Sequence, residues 1–185
     1  MRMIPGLVVI DPCDATEIGQ VVDAVAAHQG PTYCRLLRAF VPRVLDPAQH
    51  RFRIGEGYVL REGGKLGMIS TGFMTERALD AAGELAARGI EVSILHMPTI
   101  KPFDAKVVVD FASRVERLMT LENHVVTGGL ASLVAETLFE AGLHRSMVRV
   151  GIPDRFIECG SLPYLQEKCG MTVAQIVARA EGTTQ

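Results

Sequence analysis

The sequence lacks an excess of either charge and lacks any long apolar run. Its 185 residues include 19 Lys and Arg against 21 Asp and Glu, which gives a formal net charge of −2 at pH 7. Because no global positive field would attract a polyanion, the composition argues against binding of nucleic acid or of an anionic membrane through overall charge. The longest apolar stretches are too short to cross a bilayer, so the sequence predicts no membrane-spanning helix.

Cysteine is scarce too, and its spacing is not that of a metal or redox motif. The four cysteines, Cys13, Cys34, Cys159 and Cys169, fit neither a zinc knuckle nor a CxxC pair. A chain of this size with 48% hydrophobic residues does not need disulfides to hold its core together. We therefore predict reduced thiols in a cytoplasmic protein.

Complete catalytic motifs are missing as well. The sequence has no GxGxxG fingerprint, no P-loop and no HExxH helix. Ser70-Thr71-Gly72 ends a predicted strand without the GxSxG pattern of a nucleophile elbow. His96 follows another predicted strand, where a loop histidine bonded to the backbone is the ordinary interpretation. The residues by themselves give no complete catalytic constellation.

Strands alternating with helices are what the sequence does contain. Residues 6–10 and 32–37 are predicted strands, and Asp14 begins a helix between them, with Glu17 three residues on as in a capping box. Residues 38–57 hold prolines, glycines and arginines without periodicity, which indicates a long connection. The arginine-rich stretch from Arg35 to Arg61 is either a solvated connector or a place where one arginine meets an anionic substrate.

From residue 58 the alternation resumes and continues to the end of the chain. Strands are predicted at 58–62, 65–70, 90–95, 116–121 and 147–150, the first two as a hairpin, with a proline-rich loop at 96–103. Helices are predicted at 75–88, 104–113 and 129–142, with two more near the C-terminus. This order predicts an α/β fold, a mostly parallel open sheet with helices on both faces, preceded by a partial α/β unit.

The stretch TLENHVVTGGLAS, residues 120–132, is the best local candidate for a site. Glu122, Asn123 and His124 follow a predicted strand, and open parallel sheets bind ligands beyond the carboxyl ends of their strands. Gly128-Gly129 opens a helix whose free N–H groups could hold an anion. Alternatively, the glycines only allow close packing, and Glu122 repels an anion or itself satisfies those N–H groups.

Six stretches of the sequence occur together in a recognisable order. They are PGLVVIDPCDATE, GPTYCRLLR, GMISTGFMTERALDAA, HMPTIKPFD, TLENHVVTGGLASLVAE and GIPDRFIECG. Over essentially the whole chain they resemble the C-terminal part of transketolases, and most closely the separate C-terminal subunit of two-subunit bacterial transketolases. The related 1-deoxyxylulose-5-phosphate synthase and the beta subunits of 2-oxoacid dehydrogenase E1 components share this layout.

The resemblance implies two domains and a missing remainder. Residues 1–40 would be the C-terminal end of a pyrimidine-binding domain, 41–57 a linker and 58–185 the transketolase C-terminal domain. In the family, thiamine diphosphate and Mg²⁺ lie between a pyrophosphate-binding and a pyrimidine-binding domain of a dimer. The activating glutamate and the GDG…N metal motif match no residue here. The resemblance thus implies a piece of a longer enzyme, without catalytic, cofactor-binding or metal-binding residues of its own.

One substrate-binding residue carries over by resemblance. Transketolases place an arginine that binds the substrate phosphate after the last strand of the pyrimidine-binding domain, and aligning GPTYCRLLRAFVP on that segment puts Arg38 there. Its guanidinium fork suits a phosphate dianion. Arg35 is the alternative in register, and a surface ion pair is the alternative role. By the same resemblance, the stretch at 120–132 is a strand end and a helix start, with an intersubunit contact as a further option, and is not catalytic.

The implied activity is the transfer of a two-carbon ketol unit between sugar phosphates, as in the pentose phosphate pathway. The isolated chain would bind no cofactor and would be inactive. Its partner would be the N-terminal, pyrophosphate-binding subunit or domain, within a homodimer. An alternative from another class is an assembly or dimerisation module of a related thiamine diphosphate enzyme, without chemistry of its own. A third, an independent nucleotide-binding domain, lacks the glycine fingerprint.

Overall fold

The computed structural model describes residues 1–38 and 40–182, which form two sheets and the helices around them. The strands are β1 Val8–Ile10, β2 Thr32–Cys34, β3 Tyr58–Arg61, β4 Leu66–Ser70, β5 Val92–His96, β6 Thr99–Lys101, β7 Arg117–Val125 and β8 Ser146–Ile152. The helices are α1 Ala15–Ala27, α2 Met74–Ala87, α3 Ala105–Ser113, α4 Leu130–Glu140, α5 Leu162–Lys168 and α6 Val173–Ala180. In this part of the chain no helix is both long and apolar enough to cross a membrane.

The larger sheet has five strands in the order β3-β5-β4-β7-β8. All neighbours are parallel except β3, which runs antiparallel to β5. The predicted hairpin is therefore wrong, since β3 pairs with β5 and not with β4. β4 is buried at every position and has a parallel neighbour along each edge, so neither edge is left for β3.

Helices cover both faces of this sheet, which confirms the predicted fold class. On one face, Met68, Ile94 and Met119 pack in a core with α2 and α6. On the other, Ile69 and Leu95 pack in a core with α3 and α4. Adjacent residues of one strand thus enter different cores, because side chains alternate across a strand. The continuous apolar runs of these strands follow from burial on both sides.

The smaller sheet has the order β2-β1-β6 and is covered by α1. β1 and β2 are parallel, and β6 runs antiparallel to β1, with Ile10 opposite Thr99. The predicted loop at 96–103 was therefore wrong in its centre. Its strand forms against a partner almost ninety positions earlier in the chain, which the local prolines do not indicate. The domain linker at 41–57 stays a prediction. β6 follows that linker in the chain, yet it pairs with β1, which precedes the linker.

The connection between β2 and β3 contains no helix or strand among its described residues, as predicted. It nevertheless packs closely on α1. Asp14 caps that helix by accepting from the Glu17 N–H at 3.0 Å, and its other carboxylate oxygen accepts from the N–H of Leu45 at 2.9 Å. Leu45, His50 and Phe52 are buried. We call the smaller sheet with α1 the small unit. The connection packs against this unit and adds buried side chains to it.

Candidate functional site

β7 is longer than predicted, so Glu122, Asn123 and His124 lie inside the strand and not after it. The strand continues because β8 does. Val125 pairs with Ile152 after an irregularity in the register that follows Leu121. His124 is exposed, and its Nδ1 lies 2.9 Å from the carbonyl oxygen of Val125. His124 Nδ1 lies 4.0 Å from Glu122 Oε2, and both residues line one cleft, whereas Asn123 lines a second cleft.

Glu122 fills the start of α4. Its two carboxylate oxygens accept from the N–H groups of Leu130 at 2.7 Å and Ala131 at 2.9 Å, and the residue is only 1% exposed. Burial raises the pKa of Glu122, and the two backbone N–H groups act against that rise. Because a negative charge already occupies this helix end, the glycine pair does not offer an open anion site. The geometry thus agrees with the alternative in which Glu122 itself satisfies the helix N–H groups, and the absence of a catalytic role for residues 120–132 stays a prediction.

Gly129 is needed for this cap, and its replacement tests it. A Cβ at Gly129 would lie 1.8 Å from Glu122 Oε2 and 2.9 Å from the Val125 carbonyl oxygen. We expect Gly129→Ala to lower the free energy of unfolding by about 2 kcal/mol, because Glu122 must leave the helix N–H groups unpaired. Urea unfolding measures this change. Gly83→Ala, in α2 with open space around it, is the control and should stabilise by about 0.5 kcal/mol. Equal effects of the two substitutions would contradict the role of the cap.

A cleft of about 160 Å³ opens at the carboxyl ends of β4 and β7. The chain leaves β4 toward β5 on one side and later returns to β7 on the other, so this is the point where the strand order reverses. Ligands of open α/β sheets bind at such points. Asp11, Arg35, Thr71 and Glu122 line the cleft. The Thr71 hydroxyl is buried and has no hydrogen-bond partner among the described residues.

Asp11 and Arg35 form the charged pair of this cleft. Arg35 Nη1 lies 3.4 Å from Asp11 Oδ2, and Arg35 Nη2 donates to the carbonyl oxygen of Asn123. Arg35 therefore joins the small unit to β7. Burial raises the pKa of Asp11 from 3.8 to about 6, although the positive charge of Arg35 acts to lower it.

The shifted pKa of Asp11 predicts a pH dependence of stability. The folded state holds the Asp11 proton more tightly than the unfolded state, so this contribution is complete below pH 3.8 and is lost as the pH rises to about 6. We expect Asp11→Asn to gain about 2 kcal/mol relative to the wild type between pH 4 and pH 7. Thermal melts of both proteins across this range measure the difference. Asp23→Asn, at an exposed aspartate of α1, is the matched control, and parallel profiles of wild type and Asp11→Asn would contradict the prediction.

Arg38, the predicted phosphate-binding residue, lies outside this cleft. It is exposed, and no carboxylate of residues 1–38 and 40–182 forms an ion pair with it. Arg35 follows β2 directly and lines the cleft. The two arginines that the alignment offers for the phosphate thus differ: Arg38 is exposed at the surface, whereas Arg35 is partly buried and paired with Asp11. The role of Arg38 stays a prediction.

A buried polar cluster was missed in the sequence. His96 is not a loop histidine bonded to the backbone: it is fully buried at the end of β5, and its Nε2 lies 3.0 Å from Glu17 Oε2. Its Nδ1 lies 2.7 Å from the Thr75 hydroxyl, which in turn lies 2.9 Å from the Ser70 hydroxyl. His50 Nε2 lies 3.0 Å from the other Glu17 oxygen. The capping pattern at Glu17 hid this role, since a cap residue is ordinarily exposed.

The fold and the cleft define a class of α/β protein. Its ligand cleft lies where the strand order of the larger sheet reverses, next to the small unit. Residues 55–176 match the family model described as "Transketolase, C-terminal domain". A solved chain described as "Split gene transketolase, inactive beta4 tetramer" superposes with a TM-score of 0.89 at 38% identity, over 98% of this chain and 58% of its own length. This chain therefore belongs to the transketolase family, which confirms the resemblance drawn from its motifs.

Curated relatives show how much of a longer protein the chain spans. An uncharacterized transketolase family protein of Sinorhizobium fredii is 47% identical over 180 residues, which are 96% of this chain and 52% of the relative. The 6-deoxy-6-sulfo-D-fructose transketolase subunit SqwH of a Clostridium species is 40% identical over the whole chain and 57% of its own length. The 1-deoxy-D-xylulose-5-phosphate synthase of Desulforudis audaxviator is 38% identical, over 29% of its length. The chain spans about half the length of the first two.

Proposed function

We propose that this chain is the C-terminal part of a thiamine-diphosphate-dependent transketolase that moves a two-carbon ketol unit between sugar phosphates. The observation that carries the proposal is the match of 98% of the chain to a split-gene transketolase. The 40% identity to a sulfofructose transketolase subunit extends the substrate class to sugars with another anionic head group, a sulfonate. The substrate would then be either a sugar phosphate, as in the pentose phosphate pathway, or a sugar with a sulfonate group.

The helix start at Gly128-Gly129 does not fit the diphosphate of thiamine diphosphate. The glycine-opened helix start that could have held its diphosphate is occupied by the Glu122 carboxylate, which would repel it. The proposal therefore assigns the cofactor, its Mg²⁺ and the ketol-transfer chemistry to the N-terminal, pyrophosphate-binding subunit or domain and to the rest of the pyrimidine-binding domain. This chain would supply the C-terminal domain and an arginine for the anionic group of the substrate.

Cofactor titration tests the division of labour. Thiamine diphosphate with Mg²⁺ is titrated into the purified chain by calorimetry, first alone and then with the N-terminal subunit. We expect no binding to the chain alone, and binding together with ketol transfer in the mixture. Binding by the chain alone would overturn the assignment of the cofactor site, and a mixture without binding or transfer would overturn the proposed function.

An assembly role without chemistry is the second candidate. The split-gene relative is described as an inactive tetramer of its beta chain, which favours self-association of such chains apart from their partner. Light scattering of the chain with and without the N-terminal subunit distinguishes the two candidates. A stable homo-oligomer that gains no transfer activity with the partner would support the assembly role.

A further inference from the structure

Three side chains with metal-binding groups meet at the junction between α1 and the larger sheet. The Cys13 thiol, the Glu17 carboxylate and the His96 imidazole place one potential ligand atom each within 4.8 Å of one another. Their exposures are 2%, 0% and 0%. Cys13 precedes α1, Glu17 lies in its first turn and His96 ends β5, so the cluster joins the small unit to the large one.

The outer contacts of this cluster orient its potential ligands. The Thr75 hydroxyl holds His96 Nδ1 at 2.7 Å, which turns Nε2 toward Glu17 at 3.0 Å. Glu17 is fixed in turn by His50 Nε2 at 3.0 Å on Oε1 and by the Cys13 N–H at 2.8 Å on Oε2. Histidines that bind metals are oriented in this way through their second ring nitrogen, and carboxylate ligands are themselves hydrogen-bonded.

We propose that Cys13, Glu17 and His96 bind one Zn²⁺ ion. A thiolate, a carboxylate and an imidazole are ligands that zinc accepts, and three of them leave one tetrahedral position for water. The sulfur donor disfavours Mg²⁺ and Ca²⁺, which prefer oxygen ligands. The thiolate and the carboxylate together balance the charge of the ion.

Proton balance makes the binding depend on pH. The Cys13 thiol loses one proton when its sulfur binds the metal. His96 would bind the ion through Nε2, with Nδ1 still facing the Thr75 hydroxyl. Because the thiol must lose its proton, the apparent affinity rises with pH.

A second cleft reaches the cluster at Cys13. Cys13 lines this cleft of about 300 Å³, together with Leu36 and Phe73. The metal would enter from that side and reach the sulfur first. Once bound, it would tie α1 to the end of β5 and stabilise the contact between the two units.

The test uses the whole chain, stripped with chelator and then loaded with Zn²⁺ or Co²⁺. We expect one zinc per chain by elemental analysis, and a thiolate-to-cobalt charge-transfer band with Co²⁺. Cys13→Ser should lose that band and Cys34→Ser, at a half-buried cysteine outside the cluster, should keep it. Chelator should lower the melting temperature of the wild type and of Cys34→Ser, and leave Cys13→Ser unchanged.

The opposite results overturn the proposal. Less than stoichiometric zinc, no thiolate band and no effect of chelator on the wild type would show a hydrogen-bonded junction without metal. A band that survives Cys13→Ser would place the metal at another cysteine. If Cys13→Ser does not fold, the zinc content, the cobalt spectrum and the chelator effect on the wild type still decide the question.

Discussion

Glu17→Ala is expected to lower the free energy of unfolding of the metal-free chain by about 4 kcal/mol. The substitution removes the carboxylate that accepts from the Cys13 N–H and lies within hydrogen-bond distance of His50 and His96. All three partners are buried and would lose their contact without gaining water. Since domains of this size are stable by only about 5–15 kcal/mol, the loss is a large share of the total. Urea unfolding in the presence of chelator measures it.

Glu84→Ala is the matched control for this prediction. Glu84 lies in a helix, as Glu17 does, but its side chain is half exposed and its contact to Arg88 is a surface pair at 3.7 Å. Exposed pairs of this kind contribute little, so we expect a change below about 0.5 kcal/mol. Similar losses in the two variants would show that the buried contacts of Glu17 are not what stabilises the junction.

The pH dependence of the Glu17 effect gives a second, independent check. Burial acts to raise the pKa of Glu17, but the two histidines and the Cys13 N–H outweigh it and lower the pKa from 4.5 to about 2. The folded state thus favours the ionised carboxylate. The stability difference between wild type and Glu17→Ala should be complete above pH 4.5 and should shrink as the pH falls toward 2. A difference that does not change over this range would contradict the ionised state of Glu17.

Local signals in the sequence predicted the helices well. α1 and α3 begin after Asp14 and Asp104, within one residue of the predicted helix starts, and both aspartates accept a hydrogen bond from the third residue of their helix. The closing of the α4 start by Glu122 was also foreseeable as one of two alternatives, because a carboxylate close to a glycine-opened helix start can satisfy its free N–H groups.

Pairings between distant segments could not be predicted in this way. β6 forms only because β1 lies beside it, and β7 extends past Leu121 only because β8 continues alongside. The glycine pair at 63–64 indicated a hairpin locally, but the central place of β4 in the sheet decided the pairing. The contact of Glu17 with His96 joins residues 79 positions apart, and no local pattern encodes it. The candidate cluster was missed for that reason.

Arg38→Ala in the complete enzyme, assembled with its N-terminal partner, is expected to lower kcat/KM for a phosphorylated ketose by about 100-fold. A lost charge-assisted contact to a phosphate of about 2–3 kcal/mol has that effect. The loss should fall mainly on KM and should vanish for a ketol donor without an anionic head group. Steady-state kinetics with the two donors measure it. Arg53→Ala, at an exposed arginine of the same stretch that pairs with Glu56, is the control and should leave both donors unaffected.

Arg35→Ala tests which of the two arginines, Arg35 or Arg38, binds the substrate phosphate. Arg35 follows β2 directly and its guanidinium lines the cleft, but it is already bound to Asp11 and to the Asn123 carbonyl oxygen. If Arg35 serves only as a link between the small unit and β7, its loss should lower stability and affect both donors alike. The opposite result is a KM effect in Arg35→Ala that is confined to the phosphorylated donor, with no effect in Arg38→Ala. That result would assign the phosphate contact to Arg35. The alignment would then be wrong while the family assignment stands, because the family model matches from residue 55 onward and does not depend on that arginine.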